Sequence, residues 1–437
     1  MSRQIVLTMI LFLCMPCLLY SGISYVEVEA PNGYPVHNLD TGLNYTSIQE
    51  AINAPETLDG HTIFVEEGTY FEHVTVGKSL TLLGEDREAT VIDGNLTGNV
   101  VRITRDYVNI RGLTIQRSGR AYSNSGIYVG STQHCDISAN CIVDNDHGVY
   151  GSPRNMSITD NTIEGNFLGV AIDSGATNNV ISRNHLVANH VSVHLNLADA
   201  NYILQNNMTN NWRSVTLWDS KNNTLYHNNF LNNTFGSVTD PNFLDNGFEG
   251  NYWSNYTGVD LNHDGIGDSP YVIDANHTDH YPLMGMFYGY DTYYGYAVAF
   301  VSNSSISSIS FDPSYIEANP EEAMLALNVS GDTGTEGFVR VCIPKILING
   351  SYLVMFDGVV ITNATIPQVR ELPCSNETHT YFYINYTHSE HTITIIGTTT
   401  IPEFPSFLIL PFLILVTTLA LLATIAHKRM YPSLKRK

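Results

Sequence analysis

The stretch 140–184, "NCIVDNDHGVYGSPRNMSITDNTIEGNFLGVAIDSGATNNVISRN", holds two copies of one pattern and the start of a third. A short apolar run such as "GVY" or "LGVAI" is followed by Asn- and Gly-rich residues and then by further short runs with alternating apolar positions. Such alternation indicates strands, and Asn, Gly, Asp and Ser between them are typical of turns. The stretch therefore predicts brief strands joined by tight bends.

The same pattern extends from about Val100 to Tyr256 with a period of about 22 residues. A fixed period of this size predicts a solenoid, and two or three strands per period predict a coil of parallel sheets. Asparagines recur at the same interval, and we expect their amides to form hydrogen-bonded ladders at the bends. The two series are Asn140, Asn161, Asn184, Asn206 and Asn228, and Asn145, Asn166, Asn189, Asn211 and Asn233.

The open ends of such a coil need covers. At the N-terminal end, "TSIQEAINAP" predicts a short amphipathic helix with Thr46 or Ser47 as N-cap and Gln49 or Glu50 reaching back. Its predicted apolar face comprises Ile48, Ala51 and Ile52. At the other end, Asn251 continues the first asparagine series. We expect the aromatic residues Tyr252, Trp253 and Tyr256 to cover that end.

The segments "SIQEAIN" and "TIFVEEGTYFEHVTVGKSLTLLGEDREATVIDGN", followed by the coils, resemble the right-handed parallel β-helix family of pectin lyase-like proteins. The ending "GNYWSNY…DLNHDGIGDSPY…DHYPL" resembles the NosD-type branch, which is named for a periplasmic copper-associated protein. The resemblance covers roughly residues 48–283. It implies an all-β fold, but the scaffold carries lyases, hydrolases, epimerases, adhesins and structural proteins, so it does not specify an activity.

The loop after the last repeat has the spacing of a calcium-binding loop. Its oxygen-bearing residues alternate, and Gly265 permits the sharp bend. Tyr271 stands at the twelfth position, where such loops carry a bidentate Glu, so water, Asp274 or Asp279 would complete the shell. The predicted calcium ligands are Asp260, Asn262, Asp264, the carbonyl of Ile266, and Asp268. The alternative is a turn rich in Asx and Gly without an ion.

The sequence does not identify a catalytic residue. Pectin lyase-like enzymes act from a groove lined by acids and bases, for which the candidates here are Asp144, Asp146, His147, Asp160, Asp173 and Arg183. Asp144 and Asp160 could be neighbours on adjacent coils, but acids at turns are mostly solvated. Copper is disfavoured because it prefers clustered His, Met or Cys, and the histidines are scattered.

The remaining chain divides into several segments. Residues 1–24 have a signal-peptide layout, residues 25–286 are assigned to the β-helix, and 287–301 form an aromatic connector. Residues 302–397 read as a β-sandwich-like stalk, 398–406 as a Pro-containing spacer, and 407–426 as a transmembrane helix. The basic tail 427–437 predicts a cytoplasmic end. The tetrad Pro402-Glu403-Phe404-Pro405 resembles the PEF-type archaeal sorting signal, which implies cleavage and a lipid anchor as the alternative to a permanent span.

Export is also indicated by sequons and cysteines. Cys342 and Cys374 are candidates for a disulfide, as are Cys135 and Cys141. Asn-x-Ser/Thr sequons occur at Asn44, Asn95, Asn155, Asn207, Asn222, Asn232, Asn255, Asn276, Asn303, Asn328, Asn349, Asn363, Asn376 and Asn385. With 20 basic and 42 acidic residues the formal net charge is −22, which argues against nucleic acid as a partner.

Taken together, these features predict a surface-anchored β-helix glycoprotein on the outer face of the membrane. We expect a binding or structural role, directed at polysaccharide or other cell-envelope components, with Ca²⁺ as the expected ion. A polysaccharide-modifying lyase, hydrolase or epimerase is the alternative. A NosD-like copper-handling accessory protein is the second alternative.

Overall fold

The computed structural model describes residue 33 and residues 35–234, 236, 242–313 and 322–399. Within these ranges the chain forms an all-β parallel solenoid of about eight turns, followed by antiparallel sheets, with one helix at Ile48–Asn53. The predicted signal peptide, PEFP tetrad, membrane span 407–426 and basic tail lie outside the described residues. None of the described helices is long and apolar enough to span a membrane.

Three sheets run along the solenoid. Sheet 1 consists, in spatial order, of Leu43–Tyr45, Val36–Asn38, Thr62–Val65, Thr81–Gly84, Asn109–Arg111, Asp136–Ser138, Ser157–Thr159, Val180–Ser182, Tyr202–Leu204 and Thr224–Tyr226. Sheet 2 consists of Gly68–Tyr70, Thr90–Asp93, Thr114–Gln116, Cys141–Val143, Thr162–Glu164, His185–Val187, Asn207–Thr209, Asn229–Leu231 and Tyr252–Trp253. Sheet 3 consists of Val74–Val76, Val101–Ile103, Ser125–Val129, His147–Gly151, Leu168–Ile172, Val191–Asn196 and Arg213–Trp218.

Like residues stack on like residues inside the coil. In sheet 2, Ile115 pairs with Ile142, which pairs with Ile163 and then Leu186, and all four are fully buried. Each step repeats an apolar side chain at the same place in the coil, so the core is one continuous column. Burial of each such side chain contributes roughly 1.5–3 kcal/mol, which favours this register over a shifted one.

The predicted asparagine ladders are present. The first runs from Asn140 to Asn251, with side-chain amide-to-carbonyl distances of 2.9–3.1 Å. In the second, from Asn145 to Asn233, each asparagine accepts from the preceding backbone amide at 2.8–3.0 Å. A third ladder, not anticipated from the sequence, comprises Asn179, Asn201, Asn223 and Asn242. The ladders satisfy backbone groups that the bends remove from water.

The helix Ile48–Asn53 covers the N-terminal end as predicted. Ser47 is the N-cap and accepts from the backbone amide of Glu50 at 3.2 Å. Glu50 reaches back to the backbone and hydroxyl of Thr46 at 3.0 and 2.7 Å. The predicted face is buried in the coil core; it comprises Ile48, Ala51 and Ile52.

The C-terminal end is covered by aromatic rings. Trp253 is 3% exposed and lies between Phe230 and Tyr271, with ring centroids 4.3 and 4.5 Å away. Tyr256 packs against the same core, as expected, and Tyr271 comes from the hairpin formed by Tyr271–Val272 and Thr278–Asp279. Tyr252 instead packs toward the next domain.

Two five-stranded antiparallel sheets follow and share one core. Sheet 4 consists of Met286–Asp291, Ala297–Ser302, Glu336–Pro344, His379–Thr387 and Gln368–Glu371. Sheet 5 consists of Ser305–Asp312, Glu322–Ser330, Glu390–Thr399, Ile348–Phe356 and Val359–Val360. This sandwich begins at Met286, not near residue 302, because the tyrosine-rich stretch forms its first hairpin. One face of the hairpin buries Phe300 in the sandwich core, and the other buries Phe287 against the end of the solenoid.

The sandwich packs directly on the end of the solenoid. Leu283, Phe287 and Phe338 belong to a shared apolar cluster that Tyr252 and Ile266 extend. Beside it, the largely buried Glu249 of the solenoid pairs with buried Arg340 of the sandwich. The contact therefore closes the coil with a hydrophobic patch and one buried ion pair.

The four cysteines among the described residues are free. The disulfide between Cys342 and Cys374 stays a prediction from the sequence. The Sγ atom of Cys374 lies 3.8 Å from the guanidinium of Arg340. Cys135 and Cys141 are buried in separate places along the coil, where Cys141 contacts Glu88 and Cys135 contacts Thr132.

Candidate functional site

The six acids and bases singled out from the sequence occupy two kinds of position. Asp144 follows a strand of sheet 2 and pairs with Arg120 at 2.9 Å, whereas Asp160 follows a strand of sheet 1 and pairs with Arg183 at 2.8 Å. The two aspartates therefore lie at different corners of the coil and are not neighbours. Both pairs are half-exposed turn contacts.

The other three candidates, Asp146, His147 and Asp173, gather on the outer surface of sheet 3. Valines such as Val149 point into the main core, while Leu168, Ala171 and Val191 form a separate small cluster under Tyr150. We call this surface the sheet 3 face; it comprises Tyr122, Asp146, His147, Tyr150, Asp173, His194, Asn196 and Trp218.

A polar row crosses three coils of the sheet 3 face. The carboxylate of Asp173 accepts from the Tyr150 hydroxyl at 3.0 Å and from the side-chain amide of Asn196 at 2.7 Å. Burial and the Asp173 contact raise the pKa of Tyr150. The phenol thus stays protonated, and the row is a fixed series of donors and acceptors at the surface.

Trp218 lies next to this row. It pairs in register with Asn196, is 47% exposed, and receives the ring of His194 edge-on at 5.2 Å. The Nδ1 atom of His194 is 2.6 Å from Thr216, and burial lowers the pKa of His194. An exposed indole beside planar amide and carboxylate groups is an arrangement that can take a sugar ring, with apolar contact on one side and hydrogen bonds on the other.

His147 and Asp146 form a second pair on the sheet 3 face. The Nδ1 atom of His147 is 2.8 Å from Asp146, and burial lowers the pKa of His147. The imidazole contacts the rings of Tyr122 and Tyr150 at 5.3 and 4.9 Å.

A stack of rings borders this face at the start of the strands. Phe167, His190 and Trp212 stack at 4.6 and 4.2 Å, and Arg213 covers the Trp212 ring at 4.2 Å. The His190 ring has a stacked ring on each side, whereas Phe167 and Trp212 remain 50% and 53% exposed at this edge of the coil.

Sequence reasoning missed Tyr150, His194, Asn196 and Trp218. These residues could have been found from their position in the repeat. Each lies two or four residues after the small residue that recurs at 148, 169, 192 and 214. Only coil stacking shows that these positions are adjacent in space.

The described residues contain no group of three or more His, Cys, Asp or Glu side chains arranged around a metal position. His190 lies within the ring stack and His194 bonds Thr216, so the two histidines serve different contacts.

The predicted calcium loop is held by its own hydrogen bonds. The carboxylate of Asp260 accepts from the amides of Asp264 and Gly265 at 3.0 and 2.8 Å, and Asp268 accepts from Leu261 at 2.6 Å. Burial raises the pKa of Asp260. The sandwich contributes Arg370, which donates to the carbonyl oxygens of Asn262 and His263 at 2.6 and 2.7 Å.

In this arrangement the three aspartates of the loop do not form a shared ion cage. Backbone amides of the loop bond one side of each of these carboxylates. Each carboxylate oxygen keeps a second lone pair that can bind a cation.

The sequons are mostly accessible, with two exceptions. Asn349 is half-buried and Asn385 is 5% exposed with its side-chain oxygen unpartnered, whereas the other twelve are exposed. Strands of sheets 1 and 2 carry sequons at Asn44 and Asn207, but none of the described strands of sheet 3 carries one.

A family model and a curated relative each match part of the chain. Residues 57–258 match the family model described as periplasmic copper-binding protein (NosD). A cell surface glycoprotein of Methanothermus fervidus is 34% identical over 109 residues, which are 24% of this chain and only 17% of that protein.

Among solved structures, a pectin methylesterase in complex with a hexasaccharide is 14% identical, with a TM-score of 0.34 over 48% of this chain and 91% of the other. The catalytic domain of a GH87 alpha-1,3-glucanase in complex with tetrasaccharides is 17% identical, with a TM-score of 0.28 over 45% of this chain and 37% of the other.

Proposed function

Because residues 57–258 form a NosD-type parallel β-helix, we propose that this protein is an extracellular glycoprotein that binds polysaccharide on the sheet 3 face. The observation that carries the proposal is the exposed Trp218 beside the Tyr150–Asp173–Asn196 row. An open face of this kind suits one side of an extended glycan chain.

Two further observations support this function. The relative from Methanothermus fervidus is a cell surface glycoprotein, and the family model is described as periplasmic, which agrees with an extracellular location. Sheet 3 is also the sheet whose strands lack sequons, so glycans on the other faces would leave this surface open. The anchor at 407–426 and the PEFP tetrad remain sequence-based proposals.

The test is a binding and turnover screen of the exported chain against polysaccharides and their oligosaccharides. We expect Trp218→Ala to weaken binding about tenfold or more, since it removes the exposed ring. Tyr293→Ala is the matched control, because Tyr293 is 98% exposed on the sandwich, away from sheet 3. Equal loss in both variants, or binding unaffected by Trp218→Ala, would contradict the proposal. Turnover that Asp173→Asn abolishes would favour the enzyme alternative.

We also propose that the loop 260–268 binds Ca²⁺. The support is the spacing of its oxygen-bearing residues and the half-buried carboxylate of Asp260, whose charge a cation would offset. We expect the millimolar affinity typical of extracellular modules, so 10 mM Ca²⁺ should add about 1.4 kcal/mol of stability.

Calcium titration by calorimetry, with thermal melts in calcium and in chelator, tests this second proposal. Asp260→Asn should abolish both the heat of binding and the calcium-dependent rise in melting temperature. Asp332→Asn, an exposed aspartate in the sandwich, should leave both unchanged. Identical melts of the wild-type chain in calcium and in chelator would exclude the ion.

A further inference from the structure

His147 is a buried group on the sheet 3 face whose hydrogen bonding is incomplete. Its side chain is fully buried, its Nδ1 atom contacts Asp146 at 2.8 Å, and its Nε2 atom has no hydrogen-bond partner. Buried polar atoms in native proteins almost always have a partner, and an exception calls for an explanation. A ligand that binds the face would supply one.

The contact with Asp146 determines what Nε2 can do. A carboxylate only accepts hydrogen bonds, so it holds the proton of the neutral imidazole on Nδ1. Nε2 then carries a lone pair and is an acceptor. The matching ligand group is a donor, such as a sugar hydroxyl.

Tyr122 is the exposed ring next to this imidazole. Its side chain is 71% exposed, and its ring meets His147 edge-on at 5.3 Å and Tyr150 at 6.4 Å. It lies in a turn closed by the contact from the Asn124 amide to the Ala121 carbonyl at 2.9 Å, outside the strands of sheet 3. An exposed side chain on a turn can rotate away without disturbing the coil.

The charges around His147 restrict the class of ligand. Asp146 adjoins the imidazole, and Asp173 lies one coil further along, bonded to Tyr150. Two carboxylates at this place repel an anionic sugar. A neutral sugar avoids this repulsion and offers hydroxyl groups that can donate to Nε2.

We propose that Nε2 of His147 accepts a hydrogen bond from a sugar hydroxyl in the glycan site and thereby selects a neutral sugar unit. The atom becomes accessible when the Tyr122 side chain rotates away. This inference rests on the proposed glycan binding and names its substrate class.

The first experiment titrates the exported chain with neutral glucan, mannan and galactan hexasaccharides and with oligogalacturonate. We expect a neutral hexasaccharide to bind better than oligogalacturonate, and His147→Phe to weaken its binding tenfold or more while the chain keeps its fold by circular dichroism. His190→Phe is the matched control, because it replaces a histidine within the bordering ring stack. Unchanged affinity in folded His147→Phe, with binding still lost in Trp218→Ala, would overturn this inference and leave the proposed function standing.

The second experiment needs no bound glycan. Diethylpyrocarbonate modifies accessible neutral imidazoles, and peptide mass spectrometry can assign the product to His147. We expect slow modification in the wild-type chain, severalfold faster modification in Tyr122→Ala, and protection by the neutral hexasaccharide that binds. If His147 stays unreactive in Tyr122→Ala, Tyr122 is not the cover and the inference fails, whether or not any glycan binds.

Discussion

At the residue scale, Asp279 shows how burial controls a charge at the end of the coil. Its Oδ2 atom accepts from the Asn251 amide and from the Trp253 indole, each at 2.8 Å, and its Oδ1 atom accepts from the Tyr281 amide at 3.0 Å. These bonds favour the carboxylate, but burial outweighs them and raises the pKa of Asp279 to about 6.

This raised pKa predicts a pH dependence of stability. In the unfolded chain Asp279 titrates near 3.8, so between about pH 4 and pH 6 the folded chain holds a proton that the unfolded chain has lost. The free energy of unfolding should therefore fall by about 3 kcal/mol as pH rises through this window. Urea unfolding between pH 4 and pH 7 measures the slope.

Asp279→Asn should flatten this slope, because the amide does not titrate. Asp332→Asn, an exposed aspartate in the sandwich, is the control and should leave the slope unchanged. A slope that persists in Asp279→Asn would assign it to another group.

At the element scale, the coils stack so closely that one column of sheet 3 accepts only small residues. This column comprises Gly126, Gly148, Gly169, Ser192 and Ser214. A Cβ atom at Gly148 would lie 2.4 Å from the carbonyl oxygen of Gly169 and 3.3 Å from Ile163. The first neighbour is backbone of the next coil and cannot move aside by rotating, so these positions define how tightly the coil winds.

We predict that Gly148→Ala lowers the free energy of unfolding by about 1–3 kcal/mol, because the added methyl group forces adjacent coils apart. Gly77→Ala is the matched control at the N-terminal end of sheet 3, since its Cβ atom would find its nearest neighbour, Thr104, at 3.8 Å. Thermal and urea unfolding of both variants provide the measurement. Equal stability of the two would show that the coil adjusts its pitch at little cost.

At the scale of the whole molecule, one buried ion pair joins the solenoid to the sandwich. Arg340 pairs with Glu249, whose other oxygen is 2.6 Å from His227. Burial alone raises the pKa of Glu249, but the His227 hydrogen bond and the Arg340 charge outweigh it and lower the pKa to about 2. The stability that Glu249 contributes is therefore present above about pH 4.5 and is lost as pH falls toward 2.

We predict that Glu249→Gln destabilises the chain by about 3 kcal/mol, because Arg340 would remain buried without a compensating charge. Glu88→Gln is the control: Glu88 pairs with Arg87 at the exposed surface, where the loss should stay below about 1 kcal/mol. Calorimetric unfolding should also show whether the solenoid and the sandwich separate into two transitions in Glu249→Gln. A melt identical to that of the wild-type chain would mean that this ion pair contributes little to joining the domains.

The amino-acid sequence by itself determined the parts of this protein that repeat or are local. The period, two of the three asparagine ladders and the cap from Ser47 to Asn53 could be predicted, because each depends on spacing within one or two coils. The third ladder escaped notice because Met156 occupies the equivalent position before Asn179 and its last step, from Asn223 to Asn242, shortens to 19 residues.

The tertiary structure alone decided which chemical groups meet. Asp146, His147 and Asp173 were visible candidates, but their contacts with Tyr122, Tyr150 and Asn196 arise from coil stacking and from one surface turn, which spacing does not reveal. Docking of the sandwich through Glu249 and Arg340, 91 residues apart, likewise depends on packing between domains. The repeat that specifies the coil is local in the sequence. The site is formed by residues that become neighbours only after the coil has formed.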